Sequence, residues 1–173
     1  GGDTRAWGAE FWLWNMELLY YPLFAADAPD LCAPYFEMYR RQLPDAERAA
    51  QQRWGVPGAF YPETAPFDGP VILPEDIARE FQGIYWGRNS CDQLSEEAKA
   101  LGKYDSSLRV FVVGATERPL AKGRYTWISH IVSSGCELAV QAWWRYRYWG
   151  DRQWLASHAY PLLRATVEFY RHF

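Results

Sequence analysis

Ser134-Gly-Cys-Glu-Leu-Ala-Val-Gln-Ala-Trp-Trp-Arg-Tyr-Arg-Tyr-Trp-Gly-Asp-Arg-Gln-Trp-Leu-Ala-Ser-His-Ala-Tyr-Pro-Leu-Leu-Arg-Ala-Thr-Val-Glu-Phe-Tyr-Arg-His-Phe173 is the stretch that decides the fold. Residues 133–149 read as an apolar, aromatic helix through Leu138, Val140, Ala142, Trp143 and Tyr146, and Gly150-Asp151 closes it. Arg152 to His158 read as a short helical turn. Pro161 starts or kinks a last helix, Leu162 to Phe173, whose Leu162, Leu163, Ala165, Thr166 and Phe169 suit one buried face. Helix, short turn and helix in succession is the layout of antiparallel helical hairpins, so the expected class is all-α.

Upstream the same grammar recurs. Residues 6–26 read as a helix that Pro22 ends or kinks. A second helix is expected over 31–54, capped by Asp30 and interrupted at Leu43-Pro44-Asp45, with Gly55-Val-Pro-Gly58 as its stop. The run Ala59-Phe-Tyr-Pro-Glu-Thr-Ala-Pro-Phe-Asp-Gly-Pro70 has no periodicity, and long loops of this kind inside a domain are commonly functional. Residues 71–126 read as a loop-rich insertion on the helical framework. It holds short helices at 74–81 and 95–101, the latter capped by Ser95, and one strand-like run, Leu108–Val113.

The composition bounds the function. Ten Trp, 12 Tyr and 9 Phe make 18% of 173 residues aromatic, more than a core alone usually requires. A net charge of −3 and no basic run argue against nucleic acid or an anionic membrane surface as partner. No apolar run of membrane-spanning length occurs. Cys32, Cys91 and Cys136 are scattered and the three histidines lie far apart, so neither a disulfide framework nor a metal site is expected, and no cofactor is implied.

Polar residues inside the aromatic stretches carry the candidate chemistry. In Trp12-Leu-Trp-Asn-Met-Glu17, Asn15 and Glu17 sit among aromatics, where burial is costly without hydrogen bonds. Either they satisfy one another in a core, or the rings line a pocket in which they meet a polar ligand. Rings beside carboxylates and amides suit a sugar, whose apolar face stacks while its hydroxyls are bonded. Being two apart on a helix, Asn15 and Glu17 do not share a face. Glu137, in the opening turns of an apolar helix, is the first candidate for an acid. The plain alternative is that it complements the helix dipole. Glu63, in the proline-rich loop, is the second carboxyl, with a surface turn as its alternative. Asp68 reads as a turn residue. His130 is placed to bond a hydroxyl or tune a carboxyl. Trp12, Trp14, Phe60, Tyr61, Trp127 and Trp143 are candidate stacking platforms, most of them expected in the core.

Tyr148-Trp-Gly-Asp151 with Trp154-Leu155, then Tyr160-Pro-Leu-Leu163 and Val167-Glu-Phe-Tyr170, resembles a signature of (α/α)6-barrel glycoside hydrolases, in particular family 95 α-L-fucosidase-like proteins and a related branch. There an inner helix ends in a Y-x-x-T-G-D-like turn, and an outer helix follows. Trp149 stands where the family often has Thr. Trp14-Asn-Met-Glu17 with Tyr20-Tyr-Pro22 resembles the family's N-x-Q-M-N-Y-W-P stretch. Asn15 falls on the second of two water-positioning asparagines, Leu13 on the first, and Glu17 on the Gln. The likeness covers 6–70 and 128–173.

The resemblance implies that 1–173 is roughly the first half of one (α/α)6 toroid, with the remainder of the barrel as partner. It implies inverting hydrolysis of an oligosaccharide or polysaccharide, with Glu137 as acid and Asn15 holding the attacking water. Glu63, Glu17, His130, Trp12, Trp14, Tyr61 and Trp127 would bind substrate, and the general base would lie beyond Phe173. Exposed apolar faces of inner helices are a further expectation. Family members often act on glycans outside the cytoplasm, which makes a periplasmic or secreted parent the address the resemblance suggests. A lyase on the same barrel, with Tyr125 and His130 as its only nearby pair, or a phosphorylase, is the second reading. A non-catalytic helical domain that binds glycans or packs on another domain is the third.

Overall fold

The computed structural model describes residues 11–65, 67–70, 72–89, 93–99 and 131–173, and these are mostly helical. Expected features at Leu108–Val113, Tyr125, Trp127 and His130 lie outside the described residues.

The first helix, α1, is Leu13–Ala25. It does not reach back through Phe11 and Trp12, which the periodicity had placed in it. Those two residues form β1, paired antiparallel with β2, Thr64–Ala65, in the register Phe11↔Ala65 and Trp12↔Thr64. A long-range bond explains the switch: the Leu13 amide donates to the Glu63 carbonyl at 2.9 Å, so the chain enters α1 from an extended segment. The helix runs on past Pro22 to Ala25, and the chain turns away at Asp27, whose φ of 52° is a left-handed conformation that Asp tolerates better than most residues.

The expected helix over 31–54 is two helices, α2 (Pro29–Arg41) and α3 (Leu43–Trp54), divided where Leu43-Pro44 interrupts the pattern. Pro29 opens α2 and Asp30 lies in its first turn, where it complements the dipole instead of capping. Gly55 ends α3 at φ 70°. Helix α4, Glu75–Tyr85, falls in the segment expected to be a decoration, yet it is core. Its Ile77, Ala78, Phe81, Ile84 and Tyr85 pack with Ala49, Ala50 and Trp54 of α3 and with Phe60 and Phe169.

Helix α5 is Ser134–Trp149, ended by Gly150 at φ 68°. Asp151 then caps α6, Arg152–Trp154, by accepting from the Trp154 amide at 2.9 Å. No turn separates α6 from α7, Tyr160–His172. A π-helical segment, Leu155–Ala159, joins them, so Pro161 sits in the first turn of a helix that is already running. The second core cluster gathers Leu13 and Phe24 of α1, Tyr35, Phe36 and Tyr39 of α2, Leu138 and Ala142 of α5, and Trp154 and Leu162.

Two contacts position the site. At Gly58, φ +92°, the loop after α3 crosses α7 so closely that a Cβ would stand 2.1 Å from the Phe169 nitrogen. The Ala59 amide donates there to the Ala165 carbonyl at 2.9 Å. Helices α1 and α5 pack in parallel: Tyr21 meets Trp144, Phe24 meets Tyr148 and Trp149, and the Trp149 indole donates to Asp27. Partners advance together along both helices, which sets the two N-termini side by side. Trp14, Leu18, Leu19, Val140, Trp143, Trp144 and Tyr148 of these helices are exposed.

Candidate functional site

The adjoining N-termini of α1 and α5 are where the candidate carboxyls meet. The loop after Gly58 is fixed by Phe60, whose amide donates to the Ala46 carbonyl, and by Tyr61, whose hydroxyl donates to the Tyr39 carbonyl at 3.0 Å. It delivers Glu63 to the end of α1. Glu63 is 3% exposed and both of its carboxylate oxygens are bonded. Oε1 accepts from the Trp14 amide at 3.0 Å and Oε2 from the Ser134 hydroxyl at 3.0 Å. Trp12, the N-cap of α1, makes no side-chain cap bond, so Glu63 satisfies an amide that the helix start leaves open.

Glu137 lies in the first turn of α5 and is half-buried. With Glu63, Trp14, Ile131 and Ser133 it lines a cleft of about 210 Å³. Trp14 is 58% exposed and is among the residues that line this cleft. Burial pushes the Glu63 carboxyl above its ordinary range, and the Glu137 charge adds to that, while the Trp14 amide and the Ser134 hydroxyl pull the other way.

Glu17 stands one helical turn beyond Trp14. It is buried, is bonded by Tyr21, and does not line the cleft. Its carboxyl is raised first by burial and then by the charges of Glu137 and Glu63. Behind it the Tyr35 hydroxyl donates to Gln141 of α5 at 2.5 Å.

Of the expected site residues, the structure therefore brings together Glu63, Glu137 and Trp14, with Glu17 behind them. Asn15 is exposed and is not among the residues lining this cleft. Tyr61 is a core residue, 1% exposed with its ring edge-on to Tyr39, and cannot serve as a stacking platform. Phe60 is likewise buried. Trp12 is half-buried in β1, away from the cleft-lining set. Trp143 lines other grooves with Val140 and Arg147. Asp68 is exposed in a turn, as expected.

Ser134 and Ser133 were missed as site residues. The small-residue run before Glu137 was the available signal, but nothing local says that its hydroxyl reaches a carboxylate 71 positions away. Among the described residues no group of His, Cys, Asp and Glu is arranged to hold a metal ion, and no helix is long and apolar enough to cross a membrane. No protein-family model, curated protein or solved structure matches this chain.

Proposed function

We propose that this chain is part of a glycoside hydrolase built on an (α/α)6-type toroid, acting on an oligosaccharide or polysaccharide by inverting acid/base chemistry. One observation carries the reading: Glu63, Glu137 and Trp14 line one cleft. Inverting hydrolysis of a glycosidic bond needs an acid at the leaving oxygen and a base that takes the proton of the attacking water; this cleft offers the acid, and the base is expected from the remainder of the barrel. Glu137 lines the cleft from the first turn of α5, so it takes the acid's part. Glu63 is held rigidly by two donors, and its remaining lone pairs suit sugar hydroxyls. Trp14 supplies the apolar face. At about 210 Å³ the cleft is smaller than the roughly 300 Å³ at which pockets for larger ligands begin, which suits the grip of a single ring. The parallel packing of α1 and α5 supports the toroid, because inner helices of such a barrel run the same way.

The test compares the parent protein with Glu137→Gln and Glu63→Gln on a panel of soluble oligosaccharides, following sugar release by anomeric NMR and binding by calorimetry. Loss of a general acid lowers the rate about 10²–10⁴-fold. Glu137→Gln is expected to lose release by that order and keep binding, while Glu63→Gln weakens binding. Binding without release in the parent protein would make this a non-catalytic glycan-binding domain. Neither binding nor release would end the carbohydrate reading.

A further inference from the structure

We propose that Ser133 is a specificity-determining residue of this cleft: its hydroxyl binds the 2-hydroxyl of the sugar ring whose glycosidic bond is broken. The inference rests on the reading of the cleft as a glycoside hydrolase site and deepens it by naming the substrate feature that the site selects.

The starting point is a serine in a capping position that does not cap. Ser133 directly precedes α5. A serine there ordinarily has an extended backbone, and its hydroxyl accepts from the second or third amide of the helix. Ser133 instead has helical angles, φ −72° and ψ −22°, and makes no side-chain cap bond. The same chain shows the ordinary case before α6, where Asp151 is extended, with ψ 97°, and accepts from the Trp154 amide at 2.9 Å. At α5 the place of the cap is taken from a distance. The Tyr170 hydroxyl of α7 faces the backbone and thiol of Cys136, the third residue of α5. It would stand 3.6 Å from a Cβ on Gly135. The turn that a cap at Ser133 would serve is therefore already covered.

The Ser133 hydroxyl is thus not spent on the helix, and its residue lies where a ligand would. Ser133 is exposed and lines the cleft with Glu63, Glu137 and Trp14. Glu137 follows it by one helical turn, with its amide donating to the Ser133 carbonyl at 3.1 Å. Residues so spaced share a face and have Cβ atoms about 5–6 Å apart. The next residue, Ser134, is fully buried and holds Glu63. One serine fixes a carboxylate and its neighbour is left for the substrate. With Glu137 at the linkage oxygen, the hydroxyl on the adjoining ring carbon comes within the reach of Ser133. Bonds to that 2-hydroxyl are ones that strengthen in the transition state of glycoside hydrolysis. A serine hydroxyl both donates and accepts, so it meets a sugar hydroxyl in either sense. None of the described residues that line the cleft is cationic, so an uncharged hydroxyl fits there and a carboxylate or sulfate does not.

The test measures binding of methyl gluco-, galacto- and mannopyranoside, each with its 2-deoxy and 6-deoxy analogues, by NMR titration of the parent protein and of Ser133→Ala. In the parent, the preferred glycoside is expected to lose about 2–10-fold in affinity when its 2-hydroxyl is removed, the worth of one hydrogen bond between neutral groups. Ser133→Ala is expected to weaken the intact glycoside and its 6-deoxy analogue by that same factor and to leave the 2-deoxy affinity where it was. A variant that weakens the 2-deoxy analogue equally, or weakens none of them, overturns the proposal and leaves the hydrolase reading standing. A parent protein that binds none of the glycosides ends that reading, and the proposal with it. Thermal unfolding supplies a readout that needs no sugar. Ser133→Ala is expected to keep the parent Tm, whereas a drop of about 2–4 °C, the loss of an ordinary cap, would make Ser133 a helix cap and overturn the proposal.

Discussion

Replacing Ser134 by alanine removes one hydroxyl from a fully buried position and one of the two donors that hold Glu63. The bond is 3.0 Å long and its acceptor is 3% exposed, so water does not replace it readily. A hydrogen bond to a charged group contributes about 1.5–3 kcal/mol, and one between neutral groups about 0.5–1.5 kcal/mol. The loss therefore depends on whether Glu63 is ionised. At acid pH, with Glu63 protonated, Ser134→Ala is expected to cost the smaller amount. Above the Glu63 titration it costs the larger. The sign follows from linkage: a carboxyl raised in the folded state withdraws stability as pH rises from the ordinary range through the folded midpoint, and losing a donor deepens that withdrawal. For a chain of this size each kcal/mol moves Tm by about 2–4 °C, so the high-pH loss is about 3–12 °C. Thermal unfolding of parent and variant at acid and at mildly alkaline pH measures it. A loss of equal size at both would mean that Glu63 does not change charge in the window. No loss at either would mean that the Ser134 bond is absent, and the description of the cleft would fail with it.

Gly58→Ala is expected to destabilise far more than Gly150→Ala. The first drives a Cβ to 2.1 Å from the Phe169 backbone, whereas the second meets nothing within 4 Å and bears only the left-handed backbone penalty of about 1–2 kcal/mol. Thermal unfolding of the two variants ranks them, and an equal loss would mean that the loop does not cross α7 at Gly58. Glu37 should behave oppositely to Glu17 and Glu63 in acid. Its bonds to Arg40 and Arg41 hold its carboxyl down at about 2, so its contribution is present above the ordinary carboxylate range and drains as pH falls through about 2. Unfolding of Glu37→Gln against pH should converge with the parent at the acid end. The difference is expected to be small because the pair is partly solvated.

The helices were legible where punctuation was strong. Gly55 and Gly150 end α3 and α5, Pro44 divides α2 from α3, and the apolar spacing of Leu162, Ala165, Thr166 and Phe169 faces the core. What failed was decided at a distance. Trp12 looked helical because its neighbours are, but pairing with Thr64 holds it extended. Tyr61 looked like a platform because a loop aromatic with a hydroxyl fits one, but the Tyr39 carbonyl claims the hydroxyl. Helix α4 looked peripheral because its flanks are irregular, yet Phe81 and Ile84 fill the space beside Trp54. Glu63, Glu137 and Trp14 were legible as residue types, and their meeting was not. The choice between Asn15 and Glu17 turned on the phase of α1 against α5: the row through Trp14, Glu17 and Tyr21 faces α5, and Asn15 falls outside it.

Buried polar groups elsewhere in the chain show why this cluster, and not another, is read as a site. Arg145 is also buried, with Nε and Nη1 lacking partners among the described residues, but its guanidinium lies 3.7 Å over the Trp154 ring, a packing contact. Glu63 and Glu137 open to a cleft, and they do so where two parallel helices begin. Each helix start carries a partial positive charge, and two side by side make a place where carboxylates are tolerated at lower cost. An antiparallel α1 and α5 would bring a C-terminus there and repel them. The helix arrangement itself therefore makes room for acids that burial alone would reject. Glu63 binds the open amide of one helix, and Glu137 grows from the first turn of the other.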